Sequence, residues 1–389
     1  MHNFNFFAEK SVSSYKKSDT GFILLVMILW GIGLVTLYLC SAAKGESGFG
    51  SSFYFVKRQL VSSLAGLVFF LLFSVMGMEK IRKIIPFIVI ASIILCLLTF
   101  VPGIGVSRNG ARRWIRMPYF STFQPSEAIK FASVLYLANI FDKQEKLPAE
   151  EKNIAGAILG LVVFTLVIFA QSDFSTCFFV FFIGLLMFFA AGAKLKWFLP
   201  VAGLGLPVVC LMIFLEPYRM NRIIGFLAKD SHQQTYNFQM SNSIKAISNG
   251  GIFGQGFGSG MTKAVHVPEV QSDYVFAGWA EATGLFGVII YLALLFFFIY
   301  KIFKISTSCG DYFAALASFG FGASIAFQSM LNIAVVGGVL PSTGIPLPFF
   351  SSGGSSMMCT LAMCGFIVNA SRCSAEYENG IYSVGDINL

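Results

Sequence analysis

The sequence predicts an all-α, polytopic integral membrane protein with about ten transmembrane helices and a large extracytoplasmic loop. Of its 389 residues, 56% are apolar and 12% are charged, and the mean hydropathy is +0.75. An ordinary soluble domain has roughly 25% charged residues. The apolar residues occur in runs long enough to cross a bilayer, which takes about 20 residues. The 44 Phe residues also exclude a disordered chain, because disordered segments avoid large apolar side chains.

Ten apolar segments are the predicted spans. The first follows three lysines but is too long for the core of a signal peptide, so we expect it to be retained. The fourth is short for a span and begins with Glu127 and Lys130. The segments lie at roughly 21–43, 60–78, 84–101, 127–141, 154–170, 173–191, 197–215, 274–303, 312–336 and 353–371.

An even number of spans places both termini on one side of the membrane. The loops on that side have roughly twice the density of Lys and Arg, which makes it the cytoplasmic side by the positive-inside rule. The net charge of +8 is therefore attributed to topology rather than to nucleic-acid binding. The predicted parts are a cytoplasmic N-terminal tail (1–20), a ten-helix domain (21–371) with a large extracytoplasmic loop (216–272), and a cytoplasmic C-terminal tail (372–389).

Two outer loops carry basic residues against this bias. Arginine clusters beside a membrane favour an anion, because the guanidinium offers planar, bidentate donors to phosphate. Anionic lipid head groups are the alternative ligand, and a lipid-linked pyrophosphate would satisfy both interpretations. The residues are Arg108, Arg112, Arg113 and Arg116 in the loop 102–126, and Arg219, Arg222, Lys229, Lys245 and Lys263 in the loop 216–272.

The large outer loop contains the glycine-rich stretch GGIFGQGFGSG (250–260). It lacks the strand context and the GK[ST] ending of nucleotide-binding loops, so nucleotide binding is not supported. Two interpretations stay open: a backbone folded tightly onto the membrane surface, or main-chain N–H groups that approach a phosphate or sugar. The preceding residues predict a short interfacial helix with Ser241 as N-cap and Gly250 as terminator.

Acidic residues flank the start of the eighth span. Glu269 and Asp273 lie four residues apart just before it, and Glu281 lies two turns inside it. Carboxylates at or below a membrane surface are costly, so they are functional candidates. Asp273 is the catalytic candidate, with a structural ion pair as the alternative. Glu281 is expected to partner a cation, for which Lys130 is a candidate, or a metal; Glu269 is either a site residue or a solvated loop carboxylate.

Other polar residues lie within or beside the spans. Asp173, in QSDFST at the outer mouth of the fifth and sixth spans, and Asn332, in the ninth, are either functional or simply join helices. His232 and His266 lack acidic or cysteine neighbours at ligand spacing and are interpreted as loop histidines. The last outer loop, 337–356, is rich in Pro and Gly, so its irregular backbone must be buried in protein or face a cavity.

Several of these stretches resemble the SEDS family (shape, elongation, division and sporulation proteins) over nearly the whole chain after residue 20. Within the family, GQGFGSGMTK resembles the division-type members, and sporulation-type relatives share that pattern. Departures from the family pattern occur at Ser172, Ser175, Ala282 and Ser352. The resembling stretches are NGARRWI (109–115), FQPSEAIK (123–130), QSDFST (171–176), AISNGGIFGQGFGSG (246–260), VPEVQSDYVFA (267–277) and TGIPLPFFSSGGSS (343–356).

The resemblance implies a peptidoglycan glycosyltransferase that polymerises lipid II on the outer face of the inner membrane, for septal synthesis in cell division, with Asp273 essential. It also implies a divalent cation (Mg or Mn) and, as partners, a class B penicillin-binding protein and other division proteins. We expect Asp273 to act as general base and undecaprenyl pyrophosphate to leave. The expected substrate-binding residues are Arg112, Lys130, Arg222, Lys263, Glu269, Glu281, Asp173 and Ser355.

Two other functions compete with this one. A carrier that flips lipid-linked precursor also has intramembrane Asp, Glu and Lys, but it would need its charged site near the bilayer midplane. A non-catalytic scaffold for a division complex would tolerate loss of the Asp273 carboxylate. Most of the candidate charges here fall at one outer face, which favours the transferase.

Overall fold

The structure is a computed structural model, and its described residues include most of the predicted spans. Most of both predicted tails, the seventh predicted span (197–215) and a large part of the long outer loop lie outside the described residues. The described residues are 17–108, 111–117, 122–148, 151, 153–193, 203, 220, 234–257, 267 and 269–373.

Ten helices and one two-stranded hairpin are fully described. They are α1 (Thr20–Phe49), α2 (Tyr54–Val75), α3 (Met78–Leu98), β1 (Gly105–Arg108), β2 (Ala111–Ile115), α4 (Pro125–Glu145), α5 (Ala155–Ala170), α6 (Phe174–Ala190), α7 (Gln234–Gly250), α8 (Val275–Ser308), α9 (Tyr312–Val336) and α10 (Gly354–Ala370).

These helices confirm the predicted all-α, polytopic membrane fold. Each predicted span other than the seventh corresponds to one helix. Five of the described helices, α1, α2, α3, α8 and α9, are long and apolar enough to cross a bilayer, and α5, α6 and α10 are shorter apolar helices. Large apolar side chains face outward from the bundle, such as Phe87, which is 72% exposed, and Phe296, which is 65% exposed. Lipid is the solvent that this surface suits.

Helix α4 is the centre of the bundle. It packs against α3, α5, α6, α9 and α10, and most of its side chains are buried. Pro125 opens it at the first helical turn, where a missing N–H costs nothing. Phe131 lies between Phe73 and Phe321, with ring centroids 5.0 Å and 4.9 Å away. The helix is longer than the predicted segment 127–141: its polar N-terminal residues are buried in protein, and its last turn continues past Asp142 into exposed and half-buried residues.

Ion pairs join several helices at one end of the bundle. Asp19 caps α1 and binds Lys301 of α8 at 2.9 Å. Arg82 of α3 lies 3.3 Å from Asp142 of α4 and 2.9 Å from Asp311, which caps α9. Burial raises the pKa of Asp19, but its hydrogen bonds with Lys301 and the backbone and the charge of Lys301 lower the pKa further, so the net shift is downward. The contacts place these segments at a common end, in agreement with the grouping of loops by sequence.

The opposite end carries a hairpin that the sequence analysis did not predict. Strands β1 and β2 pair antiparallel, with Gly105 opposite Ile115. A Cβ on Gly105 would lie 1.9 Å from the carbonyl oxygen of Thr99, so the chain can leave α3 here only through glycine. Strand β2 carries Arg112 and Arg113, and Arg116 directly follows it.

A re-entrant segment (residues 341–353) follows α9 and enters the bundle without regular structure. Its residues from Leu347 to Ser351 are buried. It passes so close to the middle of α1 that a Cβ on Gly33 would lie 2.1 Å from the carbonyl oxygen of Phe349. Of the two alternatives expected for this loop, burial in protein holds for residues 347–351, whereas residues 337–344 are exposed or half-buried.

A methyl group at Gly33 should therefore displace the re-entrant segment. We expect Gly33→Ala to lower the free energy of unfolding by about 1–3 kcal/mol, as overpacking of a dense interior does. Gly31→Ala is the matched control, since nothing lies within 4 Å of a Cβ there. Thermal unfolding in detergent, followed by tryptophan fluorescence, should show a lower Tm for the first variant alone. Equal Tm values for the two variants would contradict this packing.

Candidate active site

Asp273 lies in a tight turn directly before α8, at the end of the bundle opposite the ion pairs of Arg82 and Asp19. Glu269 adopts a left-handed conformation with φ 53°, and its carbonyl oxygen accepts hydrogen bonds from the N–H groups of Ser272 (3.0 Å) and Asp273 (3.1 Å). The side chain of Asp273 is half-buried. The turn therefore fixes the backbone of the catalytic candidate just before the helix begins.

The re-entrant segment lies directly against this turn. The side-chain amide of Asn332 donates to the carbonyl oxygens of Asp273 and Ile345, both at 2.9 Å. A Cβ on Gly344 would lie 3.8 Å from Oδ2 of Asp273. Gly344 is exposed, so the carboxylate faces a position that is open to the outside of the bundle.

Glu269 is held by its own partners. Lys44 of α1 lies 3.5 Å from its Oε1, and Gln271 donates to its Oε2 at 2.9 Å. The side chain is still 54% exposed. The residue is thus neither a freely solvated loop carboxylate nor a buried one. Lys44 and Gln271 were not singled out in the sequence, because both look like ordinary residues of a polar loop edge.

Lys130 pairs with Glu127, not with Glu281. Its Nζ lies 2.7 Å from Oε2 of Glu127, one turn earlier on α4, and 4.8 Å from the ring centroid of Phe179. It also donates to Gln328 at 3.0 Å. The expected pairing with Glu281 is wrong because an acid on the same helix is nearer. Lys130 is only 4% exposed, so it supports the site from within the bundle.

Gln328 links Lys130 to the re-entrant segment through hydrogen bonds. Its side-chain nitrogen donates to the carbonyl oxygen of Pro346 at 2.9 Å and to the hydroxyl of Ser356 at 3.3 Å. Ser355, a predicted substrate-binding residue, lies in the first turn of α10 and is 8% exposed. Ser355 therefore lies just after the re-entrant segment, one residue before Ser356, which Gln328 binds.

Glu281 lies where α8 is broken. It is 1% exposed and accepts a hydrogen bond from the amide of Asn249 at 3.0 Å. Three residues later, Gly284 has φ 65° and ψ −163°, which are not helical dihedral angles, so α8 is broken at this residue. A break of this kind frees backbone groups that must be satisfied inside a membrane protein.

The glycine-rich loop supplies those partners. Four backbone hydrogen bonds join the loop to α8 on either side of the break. They satisfy N–H groups of both segments and the carbonyl oxygens freed by the break. The hydrogen bonds run from the N–H of Leu285 to Gly251 O (2.9 Å), Phe286 to Ile252 O (3.2 Å), Gln255 to Glu281 O (2.9 Å) and Gly256 to Ala282 O (3.0 Å).

Close approach explains the glycines. A Cβ on Gly254 would lie 2.2 Å from Ala282 O, and one on Gly250 would lie 2.4 Å from Ala280 O. The backbone is folded tightly, as the first interpretation proposed, but onto α8. The described N–H groups at 254–256 bond within the protein, so they do not form a phosphate site. Gly258, Gly260 and Lys263 lie outside the described residues.

Helix α7 leads into this loop. It begins at Gln234, so the expected N-cap at Ser241 is wrong: that residue lies inside the helix. It ends at Gly250 as predicted. Ser243 donates to the carbonyl oxygen of Val336 at 2.8 Å, which fastens α7 to the end of α9.

Asp173 caps α6 beneath the outer hairpin. It is 2% exposed, receives hydrogen bonds from Gln124 (2.9 Å) and Ser126 (3.2 Å), and lies 3.5 Å from Arg113. Arg113 also donates to the carbonyl oxygen of Ser172. Its neighbour Arg112 points outward and is exposed. The two adjacent arginines therefore differ: one binds the protein, and the other is available to a ligand.

Two predicted site residues, Arg222 and Lys263, lie outside the described residues, as do the loop histidines His232 and His266. Within the described part of the chain, no group of three or more His, Cys, Asp and Glu side chains could hold a metal ion. Of the acidic candidates, Glu269 and Asp273 share one turn before α8, Glu281 lies inside α8, and Asp173 caps α6.

The fold and the outer carboxylate define a polytopic membrane protein with a candidate active site at one end of its bundle. The family model of the FtsW, RodA and SpoVE cell cycle proteins matches residues 20–376. The chain belongs to this family, which is the SEDS family expected from the sequence. It is an FtsW-like member.

Curated relatives agree with this membership. A probable peptidoglycan glycosyltransferase FtsW of Geobacter sp. (strain M18) is 33% identical over 350 residues, covering 90% of this chain and 95% of the relative. Stage V sporulation protein E of Bacillus subtilis (strain 168) is 33% identical over 360 residues, covering 92% and 97%. The expected enzyme class, a glycosyltransferase, is confirmed.

Solved structures have the same fold. A chain from a structure that describes the coordination of polymerization and crosslinking by a peptidoglycan synthase complex superposes with a TM-score of 0.74 at 27% identity, covering 93% of this chain and 99% of that one. The rod shape determining protein RodA of Thermus thermophilus superposes with a TM-score of 0.67 at 24% identity, covering 92% and 98%.

The two adjacent arginines should respond differently to mutation. Arg113→Gln removes the cation beside a buried carboxylate, so we expect a loss of about 1–3 kcal/mol in the free energy of unfolding. Arg112→Gln changes an exposed side chain and should stay within about 0.5 kcal/mol of wild type. Thermal unfolding of both variants checks this difference. A larger loss of stability for Arg112→Gln than for Arg113→Gln would contradict the assignment of Arg113 as the arginine that binds Asp173.

Proposed function

We propose that this protein polymerises lipid II into glycan strands on the outer face of the cytoplasmic membrane, with Asp273 as general base. The observation that carries the proposal is the half-buried carboxylate of Asp273, which faces the open position at Gly344 while its backbone is held by Asn332. The names of the curated relatives support peptidoglycan as the product.

The proposed reaction is a direct displacement. Asp273 accepts the proton of the acceptor sugar's 4-hydroxyl while that oxygen attacks the anomeric carbon of the donor sugar. The new glycosidic C–O bond forms as the C–O bond to undecaprenyl pyrophosphate breaks, with inversion at that carbon. Glycosidases need a second carboxyl group to protonate their leaving oxygen, but pyrophosphate leaves as a stable anion. One carboxylate and nearby positive charge therefore suffice.

The basic residues divide between two roles. Arg112 is exposed at the outer end and is proposed to bind the pyrophosphate, together with Arg222 and Lys263 of the large loop. Lys130 is buried and paired, so it acts through the re-entrant segment rather than on the substrate. By the same argument, the buried residues Asp173 and Glu281 hold the hairpin and the broken helix in place.

Glu269 is proposed to contact the sugars, whereas Ser355, which is buried, is proposed to support the re-entrant segment beside the site. Glu269 keeps an exposed carboxylate at the entrance of the turn, and Ser355 follows the segment that lines Asp273. A divalent cation, Mg or Mn, remains a prediction of the family resemblance. The described residues do not assemble a ligand set for it, and no step above passes through a metal.

The cellular setting is also proposed. We propose that the end of the bundle with the ion pairs of Asp19 and Arg82 faces the cytoplasm, with both termini on that side and Asp273 on the outer side. We propose a role in septal synthesis, with a class B penicillin-binding protein as transpeptidase partner and other division proteins nearby. A chain with the same fold belongs to a peptidoglycan synthase complex that coordinates polymerization and crosslinking, which supports such a partner.

Asp273→Asn should abolish glycan polymerisation without unfolding the protein. Removal of a general base costs about 10² to 10⁴ in rate. The matched control is Asp19→Asn, which makes the same isosteric change at the other end of the bundle, where Asn is an equally good helix cap. Both proteins would be purified with the transpeptidase partner and supplied with labelled lipid II and a divalent cation, and the products separated on a gel.

We expect polymer from wild type and from Asp19→Asn. We expect none from Asp273→Asn, although its Tm should equal that of wild type. Equal polymer from all three proteins would remove Asp273 from the chemistry. If wild type itself makes no polymer, transport of labelled lipid II across a vesicle membrane would support the carrier function instead.

A further inference from the structure

We propose that Asn332 is a positioning residue that sets the orientation of the Asp273 carboxylate, an inference that rests on the proposed function of Asp273. Asn332 lies near the outer end of α9 and is 1% exposed. Because its side chain is buried, Asn332 cannot contact the substrate. Any effect of Asn332 on catalysis must therefore act through the backbone carbonyl groups that it binds.

The amide of Asn332 joins two segments that are far apart in sequence. Its NH₂ group donates to the carbonyl oxygen of Asp273 at 2.9 Å and to that of Ile345 at 2.9 Å. A side-chain amide has two N–H donors in a fixed planar arrangement. One rigid group therefore sets the separation between the turn at 269–273 and the re-entrant segment.

Both acceptors lie next to the carboxylate. One belongs to Asp273 itself. The other belongs to the residue after Gly344, whose Cβ position is 3.8 Å from Oδ2 of Asp273. Gly344 has φ 73°, a left-handed conformation that other residues rarely adopt. A shift of either carbonyl would thus change the position of the carboxylate relative to the wall that it faces.

The side-chain oxygen of Asn332 does not contribute a stabilising hydrogen bond to any of the described residues. Oδ1 of Asn332 is buried without a hydrogen-bond partner in the described part of the chain. A buried acceptor left unpaired costs free energy that an apolar side chain of similar size would not. An amide whose only use were to hold helices together would be poorly placed here. Its geometry suits the exact spacing of two carbonyl groups.

The chain offers a matched control at the opposite end of the bundle. Asn369 of α10 is 4% exposed, and its side-chain nitrogen donates to the carbonyl oxygens of Phe73 (2.8 Å) and Met76 (2.5 Å). It makes the same kind of contact, from one helix to the end of α2. Neither carbonyl lies near Asp273 in sequence or at the outer end.

The experiment compares Asn332→Leu with Asn369→Leu in the lipid II polymerisation assay, with Tm measured for each. We expect both to lower Tm. Asn332→Leu should lower kcat at least about 10-fold, toward the roughly 10²-fold cost of a 1 Å misplacement, with KM for lipid II within about twofold of wild type. Asn369→Leu should keep the wild-type kcat per folded molecule.

A second variant covers the case in which Asn332→Leu does not fold. Asn332→Asp keeps the shape but replaces the donors with an oxygen that faces two carbonyl groups. We expect the same selective loss of kcat from any folded fraction, and Asn369→Asp is its control.

Three results would overturn the inference. If Asp273→Asn is inactive while both Asn332 variants keep the kcat of their Asn369 controls, Asn332 does not position the base and the proposed function stands. If Asp273→Asn keeps wild-type kcat, the proposed function fails and the role of Asn332 fails with it. A loss confined to KM would also contradict a positioning role.

Discussion

Backbone N–H and C=O groups inside a bilayer need partners within the protein. In the described part of this bundle, two irregular segments meet that requirement in different ways. The break in α8 at Gly284 is completed by the backbone of the glycine-rich loop. The carbonyl groups of the re-entrant segment are instead bound by side chains from three helices, which are buried except for the half-buried Ser175. These bonds are Gln59 to Ser351 O, Ser175 to Thr343 O, Gln328 to Pro346 O and Asn332 to Ile345 O.

The candidate active site depends on both solutions. Asp273 lies in the turn between them, immediately before α8 and against the re-entrant segment. Irregular backbone allows an acidic group to sit at the membrane boundary with a fixed main chain and an accessible side chain, which a continuous helix would not. The ion pairs around Arg82 at the other end hold the helices whose outer ends carry the site.

The fold was largely predictable because lipid demands long apolar segments, and hydropathy reports them directly. The acidic candidates were also visible, because a carboxylate near a membrane is costly. The breaks were not: the residues around Gly284 are as apolar as a continuous span, and only the structure shows which loop completes them. The pairing of Lys130 with Glu127 follows from i, i+3 spacing but competes with partners that only tertiary structure brings near. Ser241 resembled a helix cap because local sequence does not reveal that α7 begins a further two turns earlier.

The most direct test of the account is a structure of the protein with a lipid II donor and an acceptor glycan bound. The account predicts the acceptor's 4-hydroxyl within hydrogen-bond distance of the Asp273 carboxylate, about 2.6–3.2 Å, with the donor pyrophosphate among the outer basic side chains. An acceptor hydroxyl bound at another acidic residue, or a lipid head group held near the middle of the bundle and open to both sides, would contradict it.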